Sequence, residues 1–184
     1  MSRLTVYADD GPDACELDTA DPAQIAASLA EIGVVFEQWQ ADVTLAGDAT
    51  DGDVLSAYAR DVARLADRGG YRSKDVVRML PDNPQAPAMR AKFLAEHVHS
   101  DDEVRFFVEG EGLFCLRAQG RVYAVLCTAG DLISVPAGTR HWFDMGADPR
   151  FTAIRLFITP DGWVADFTGD PIADRFPGLV REPA

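Results

Sequence analysis

The second half of this chain is a series of short apolar runs separated by turns that contain glycine. From His97 onward the runs are EVRFFVEG, GLFCLRAQG, RVYAVLCTAGD, LISVPAG, HWFDMG and FTAIRLFITP. The glycines between them are Gly110, Gly112, Gly120, Gly130 and Gly138. Closely spaced short strands are typical of an antiparallel barrel or sandwich. The pattern therefore predicts a mainly β fold for this half of the chain.

The first ninety or so residues mix strand and helix patterns instead. RLTVYA, VVFEQWQA and DVVRML have strand character. DPAQIAASLAEIG predicts a helix with Asp21 as its N-cap, Pro22 in the first position, Gln24 completing a capping box and Gly33 as its end. DVLSAYARDVARLADRGG predicts one continuous helix, and NPQAPAMRAKFLAE predicts a helix capped by Asn83.

The length of 184 residues suits a single domain with one core. We find no linker and no internal repeat. The segment after Asp161 is rich in Gly, Pro and Asp, so we expect it to wrap loosely around the barrel and to end in a mobile tail.

All three histidines of the chain lie in two short stretches. His97 and His99 occur in HVHSDDE, and His141 follows the turn PAGTR. Residues two apart share one face of a strand but point about 200° apart on a helix, so the two imidazoles can converge only on a strand. Glu103 has the same parity, but a straight strand would place it about 13 Å beyond His99. The segment Ser100–Asp102 is therefore predicted to form a tight bend, which its residue types favour.

These four side chains together predict a metal site. A single histidine on a barrel strand is more often a core or surface residue, and H-x-H alone is a weak signal. Four potential ligands that include every histidine of the chain are harder to explain by chance. We therefore favour metal binding over either ordinary explanation.

The charge balance argues against several classes of partner. Lys and Arg number 17 against 30 Asp and Glu, a net charge of −13 that opposes phosphate backbones and anionic lipid. No stretch has the length of a membrane span or the pattern of a signal peptide. Cys15, Cys115 and Cys127 are few and odd in number, as expected of reduced thiols. We therefore expect a cytoplasmic protein that binds neither nucleic acid nor membrane. A monomer is the expected state.

Two motifs resemble those of the cupins, whose fold is a jelly-roll-like β-barrel. The first is HVHSDDE followed by Gly110, and the second is Gly130 followed by PAGTRH. The resemblance covers about residues 91–158. It implies a barrel core there, with residues 1–90 as an α/β extension and residues 159–184 as a C-terminal wrap.

A narrower resemblance is to the acireductone dioxygenase family of the methionine salvage pathway. KFLAEHVHSDDEVRFFVEGEGLF, GDLISVPAGTRHWFDMG and FTAIRLF carry it, and it extends over most of the chain. Its most specific element is the arginine two residues after the glutamate in HVHSDDEVRF, which most cupins lack. The resemblance implies a dioxygenase that cleaves 1,2-dihydroxy-5-(methylthio)pent-1-en-3-one with O2. The products would be 4-methylthio-2-oxobutanoate and formate with iron, or 3-(methylthio)propanoate, formate and carbon monoxide with nickel.

The resemblance also assigns roles to residues at matching positions. One Fe2+ or Ni2+ per chain would be held by His97, His99, Glu103 and His141, and Arg105 would help to generate and hold the substrate dianion. Imidazole and carboxylate ligands suit either metal, and such a set on an octahedral ion leaves two adjacent positions for the two oxygens of an enediolate.

Four further residues have a possible place in the site. The resemblance implies that Glu96 assists metal incorporation and that Asp102 relays local conformational change. Phe107 and Phe143 lie on the ligand side of their predicted strands, so they are candidates for an apolar slot around the methylthio tail. Simple filling of the barrel is the more ordinary explanation for both phenylalanines.

Arg155 is the only charge in FTAIRLFI, which predicts that it is buried with an anionic partner. It could form a core salt bridge with Glu109 or Asp144. Alternatively it could face the barrel lumen with Phe151 and Phe157, close to the substrate oxygens. The family resemblance favours the second alternative, so we group Arg155 with the catalytic residues.

Two other functions remain open at this point. Another cupin dioxygenase, acting on flavonols or thiols, could use the same ligand set but would leave Arg105 without a clear task. A metal-dependent cupin that binds a small molecule without transforming it would serve as a sensor or a store. A sensor would be expected to carry an output module, and the sequence shows none.

Overall fold

The computed structural model describes residues 1–180. The strands are β1 (Arg3–Ala8), β2 (Cys15–Thr19), β3 (Val35–Gln38), β4 (Ser73–Met79), β5 (His97–Val98), β6 (Glu103–Ala118), β7 (Arg121–Thr128), β8 (Asp131–Val135), β9 (Arg140–Asp144), β10 (Phe151–Phe157) and β11 (Asp166–Phe167). The helices are α1 (Pro22–Ala30), α2 (Asp51–Ala57), α3 (Ala59–Gly69) and α4 (Ala86–Leu94), followed by a 3-10 helix at Pro171–Arg175. The predicted mainly β fold is confirmed.

The long strand β6 joins the two sides of the barrel. Its first half pairs with β8 and β10, and its second half pairs with β7 and β9, all antiparallel. Strands β1 and β2 extend the sheet beyond β7, while β5 and β11 extend it beyond β9. One strand therefore fixes the position of both sheets around the apolar core.

The prediction of two strands separated by a turn at Gly110 and Gly112 is wrong. Strand β6 runs through both glycines, and Gly110 adopts a positive φ of 68°. A Cβ atom on Gly110 would overlap the carbonyl oxygen of Arg150 at the approach to β10. The glycine thus allows a bend in β6 and a close backbone contact, and the chain does not reverse direction there.

The helices of the N-terminal part differ from prediction at three boundaries. α1 has the predicted Asp21 cap, which accepts a hydrogen bond from the Ala23 amide, but it ends at Ala30 instead of continuing to Gly33. The second predicted helix is broken at Tyr58, whose buried ring packs edge-on against Phe106.

α4 starts later than predicted, and one strand of the N-terminal part, β2, was not predicted. The Asn83 side chain accepts a hydrogen bond from the Gln85 amide in a turn that precedes α4, so it does not cap the helix itself. Strand β2 has mostly exposed side chains and lies at the edge of the sheet, so it lacks the apolar alternation that would reveal it.

The C-terminal segment is held more firmly than the sequence suggested. Strand β11 pairs with β5, which places Phe167 opposite His97. Ile172 and Phe176 are buried, and the Phe176 ring contacts Trp142. The predicted mobile end includes residues 181–184, which lie outside the described residues.

The described residues include all three cysteines of the chain. Cys115 and Cys127 are buried in the core, Cys15 is exposed, and all three are free thiols. Within residues 1–180, no helix is both long enough and apolar enough to cross a membrane.

The close approach at Gly110 gives a prediction about stability. Gly110→Ala should lower the free energy of unfolding by about 3 kcal/mol or more, because it adds a steric clash to the cost of a positive φ. Gly120→Ala is the matched control: its φ is 73°, but nothing lies within 4 Å of an added Cβ. That control should lose only about 1 to 2 kcal/mol. Equal losses in urea unfolding of the two variants would contradict the role given to Gly110.

Candidate metal centre

His97, His99, Glu103 and His141 meet at one end of the barrel. His97 lies directly opposite His141 in the pairing of β5 with β9. One nitrogen from each of the three histidines lies within 4.8 Å of the others. Oε2 of Glu103 is 3.6 Å from Nε2 of His99 and 3.5 Å from Nε2 of His141. The four side chains therefore surround one small volume, and all are buried.

Two aspartates hold the bend at residues 100–102. The carboxylate of Asp101 accepts a hydrogen bond of 2.6 Å from the amide of Thr159. The carboxylate of Asp102 accepts one of 2.8 Å from the amide of Ala137. The bend is thus fastened to two neighbouring loops, and it shortens the path so that Glu103 reaches the histidines as expected.

Backbone carbonyl groups orient all three imidazoles. The Nδ1 atoms lie 2.7, 3.1 and 2.8 Å from the carbonyl oxygens of Ala95, Val164 and Thr139, for His97, His99 and His141 respectively. A proton on Nδ1 that is donated to a carbonyl leaves Nε2 with a free lone pair. This is the usual arrangement behind histidines that bind metals.

Two buried atoms at the centre lack the partners that buried polar atoms normally have. Within residues 1–180, neither Oε2 of Glu103 nor Nε2 of His141 has a hydrogen-bond partner. Buried polar groups are otherwise almost always satisfied, so a bound group that accepts electron pairs would complete this site. A divalent metal ion fits this description, and the imidazole and carboxylate donors suit it.

The protonation states also suit metal binding. Burial lowers the pKa of His141 to about 3 and lowers the pKa of His97, so both rings are neutral near pH 7. Burial alone would raise the pKa of Glu103, but the nearby cationic groups, of which Arg105 has the largest effect, hold that pKa below its usual value. Neutral imidazoles and an ionised carboxylate are the forms that bind a metal.

Arg105 lies between the centre and the adjacent cavity. Its Nη2 donates a hydrogen bond of 2.7 Å to Oε1 of Glu103. Its guanidinium group packs over the rings of Phe114 and Phe143, at 4.9 and 4.6 Å from their centroids. Within the described part of the chain, Nε of Arg105 has no hydrogen-bond partner. One donor is therefore available to a ligand.

Arg155 pairs with Asp75, and not with Glu109 or Asp144 as the sequence suggested. Its Nε and Nη2 atoms donate to the two carboxylate oxygens of Asp75 at 2.9 and 2.6 Å. The reason is the strand register, which places Asp75 directly opposite Arg155 and, on the other side, Arg105 opposite Arg155. Arg155 also lines the cavity, so the ion pair and the predicted position near the site occur together.

A cavity of about 110 Å³ adjoins the three histidines. Arg105, Arg155 and Phe143 form part of its wall. The prediction that Phe107 lines the cavity is wrong. This residue is fully buried, and its ring centroid lies 6.1 Å from that of Phe143. Phe107 lies two residues after Arg105 on the same face of β6, which places it deeper in the core.

Besides Val77 on β4, two segments of the cavity wall were not predicted from the sequence. α4 contributes Met89 and Phe93, four residues apart on one face, and the C-terminal segment contributes Trp163, Ala165 and Phe167. The helical spacing of the first pair and the alternation of the other three were both visible in the sequence. Neither pattern indicated that these faces would meet beside the histidines.

Glu96 lies behind the centre rather than in it. Its buried carboxylate accepts hydrogen bonds from Arg117 at 3.4 Å and from the hydroxyl of Thr168 at 2.7 Å. It therefore links the strand that carries His97 to β6 and to the C-terminal segment, without facing the three imidazoles.

Comparisons with known proteins give a consistent result. The ARD/ARD' family model matches residues 3–165. Among curated relatives, the acireductone dioxygenase of Parvibaculum lavamentivorans is 62% identical over 100% of both chains. That of Alcanivorax borkumensis is 55% identical over 97% of this chain and 99% of its own. A solved structure, acireductone dioxygenase from Bacillus anthracis with a cadmium ion in its active centre, is 29% identical with a TM-score of 0.79, covering 91% of this chain and 98% of that one. The likeness confirms the predicted cupin barrel with an N-terminal extension.

The geometry of the centre predicts which residues hold the metal. Replacing His97, His99, Glu103 or His141 by alanine should remove most bound metal, because each change deletes one of four converging donors. Glu109→Ala is the control, since that carboxylate is on the same strand but bonds to Thr152 away from the centre. Metal content per folded chain is the measurement. Full occupancy in any two of the four variants would show that the ligand set is different.

Proposed function

This chain belongs to the acireductone dioxygenase family, and from that premise we propose that it cleaves 1,2-dihydroxy-5-(methylthio)pent-1-en-3-one with O2. The observation that carries the proposal is Arg105, which lines the cavity, bonds to the carboxylate of Glu103 and keeps one donor, Nε, without a partner among the described residues. A plain metal-binding cupin would have no use for such a group. The proposed partners are this small molecule and O2. A monomeric state and a cytoplasmic location stay predictions from the sequence.

We propose that His97, His99, Glu103 and His141 hold one Fe2+ or Ni2+ per chain. Bound there, the ion would supply Lewis acidity that favours the deprotonated substrate and would orient its oxygens. The donor types accept both metals, and the general affinity order makes the binding of nickel the tighter of the two. Cellular supply would then decide which metal is loaded.

The two arginines of the cavity would stabilise the substrate's negative charge. Arg105 and Arg155 lie opposite each other on paired strands, and each is held by a carboxylate. Because these ion pairs fix the guanidinium groups before substrate arrives, little reorganisation is needed when a second negative charge develops. Arg105 is the better placed to stabilise that charge, since its Nε has no other partner within the described residues.

The apolar part of the cavity would hold the methylthio tail. Phe93, Phe143 and Trp163 come from three separate elements and line one cavity with the histidines. Apolar walls with a few polar groups at one end are the usual form of a small-molecule site. The tail would lie against these rings while the oxygens face the charged end.

Asp102 and Glu96 would act through other residues. The bond from Asp102 to Ala137 ties the bend before Glu103 to the turn before His141, so a shift at one would reach the other. This contact supports the proposed relay of conformational change. The proposed role of Glu96 in metal incorporation rests on the family resemblance, and its carboxylate lies close behind the strand of His97.

The role of Arg105 can be separated from metal binding. Arg105→Ala should retain the metal but lose the ability to bind substrate as the dianion, because arginine is not a ligand. Arg105→Lys should rescue only partly, since a single ammonium group lacks the guanidinium geometry. Arg121→Ala is the control, because Arg121 is exposed and pairs with Glu16 away from the site. A normal dianion absorbance spectrum in Arg105→Ala under anaerobic conditions would reject this role.

The identity of the metal should determine the products. Protein that is stripped and reloaded with iron should give 4-methylthio-2-oxobutanoate and formate. The same protein with nickel should give 3-(methylthio)propanoate, formate and carbon monoxide. Either set accounts for every atom of substrate and O2. Headspace gas analysis and mass spectrometry of parallel reactions provide the measurement. Identical products from both metals, or no turnover with either, would contradict the proposal.

A further inference from the structure

Three permanent cations line the cavity beside the candidate metal centre: Lys92, Arg105 and Arg155. Two of them are already neutralised locally. Arg105 pairs with Glu103, and Arg155 pairs with Asp75. Lys92 is different: within residues 1–180 it forms no hydrogen bond or ion pair. Its positive charge is therefore the one uncompensated charge among the described residues of the cavity wall.

Lys92 is also placed where a ligand would first meet the site. It lies in the last turn of α4 and is exposed, between Met89 and Phe93, which line the same cavity. The chain has only two lysines, and the other, Lys74, is exposed on β4 and does not line this cavity. A lysine carries its ammonium group on a flexible stem, so the charge can follow a ligand into the cavity.

The charge of the whole chain makes such a group useful. An enediol conjugated to a ketone is acidic, so the proposed substrate arrives as an anion. The net charge of −13 repels it at long range. A local positive charge at the mouth of the cavity offsets this repulsion and raises the rate of productive encounter.

We propose that Lys92 captures the anionic substrate at the entrance of the cavity and passes it to Arg105. This inference rests on the proposed function. It assigns Lys92 to substrate selection by charge, favouring enediolate anions over neutral carbonyl compounds of similar size. It gives Lys92 no part in the oxygen chemistry itself.

A simpler explanation of Lys92 makes a different prediction. A cation in the last turn of a helix stabilises that helix through its dipole. In that case Lys92→Met would lower the thermal stability slightly, but it would leave substrate affinity and its salt dependence unchanged. Stability and binding must therefore be measured on the same samples.

The test compares Lys92→Met and Lys92→Arg with the control Lys74→Met, which removes the same charge away from the cavity. We expect Lys92→Met to lower kcat/KM about fivefold at low salt, the range of one exposed charge pair. The value of kcat should change little. Added salt should shrink the difference in kcat/KM between the unaltered protein and Lys92→Met. It screens the local attraction that only the unaltered protein has, whereas it screens the overall repulsion in both. Lys92→Arg should retain most of the activity, and Lys74→Met should match the unaltered protein.

Anaerobic titration with the acireductone, followed by its ultraviolet absorbance, gives a readout independent of turnover. The Kd should rise in Lys92→Met by a factor similar to the fall in kcat/KM, with metal content unchanged. An unchanged Kd and salt dependence would overturn the inference while leaving the proposed function intact, as would a fall in kcat alone. If the unaltered, metal-loaded protein neither binds nor consumes the acireductone, the proposed function fails and this inference fails with it.

Discussion

The carboxylate of Glu103 is almost completely buried, and a buried charge is tolerated only where other groups compensate it. Arg105 compensates one of the two oxygens, since Oε1 accepts a hydrogen bond from it. Oε2 faces Nε2 of His99 and of His141 and has no hydrogen-bond partner among the described residues, so it is available to a cation. The same residue thus positions the arginine that lines the cavity and completes the proposed group of metal donors. Loss of this carboxylate would disturb both the position of Arg105 and the arrangement of side chains at this end of the barrel.

Strand β6 is what makes this arrangement possible. It begins at Glu103 and Arg105 beside β8 and β10, and its second half pairs with β9, where Leu116 lies opposite His141. The distances between donors are therefore set by sheet register over long separations in sequence, and only the bend at residues 100–102 is local. Gly110 lets a single strand serve both sheets by allowing the close contact with the chain that enters β10.

Much of the centre was predictable because it depends on residues that lie close together in the sequence. The parity of His97, His99 and Glu103, together with bend-forming residues between them, predicted their convergence. Other features depended on pairing that no local pattern encodes. Asp75 meets Arg155 only because β4 pairs with β10. Gly110 was misread because a positive φ serves a turn and a bend equally well. Tyr58 breaks a helix whose apolar spacing is continuous, where its ring packs on Phe106.

The contact between His99 and the carbonyl of Val164 has a consequence for how the centre forms in the cell. The three histidines are synthesised before Val164 and before strand β11 (Asp166–Phe167), which pairs with β5 and places Phe167 opposite His97. Until those residues leave the exit tunnel, the imidazole of His99 lacks the acceptor that sets its tautomer, and one edge of the centre stays open to solvent. The centre can therefore take its final form only after translation has passed the segment that closes over the histidines.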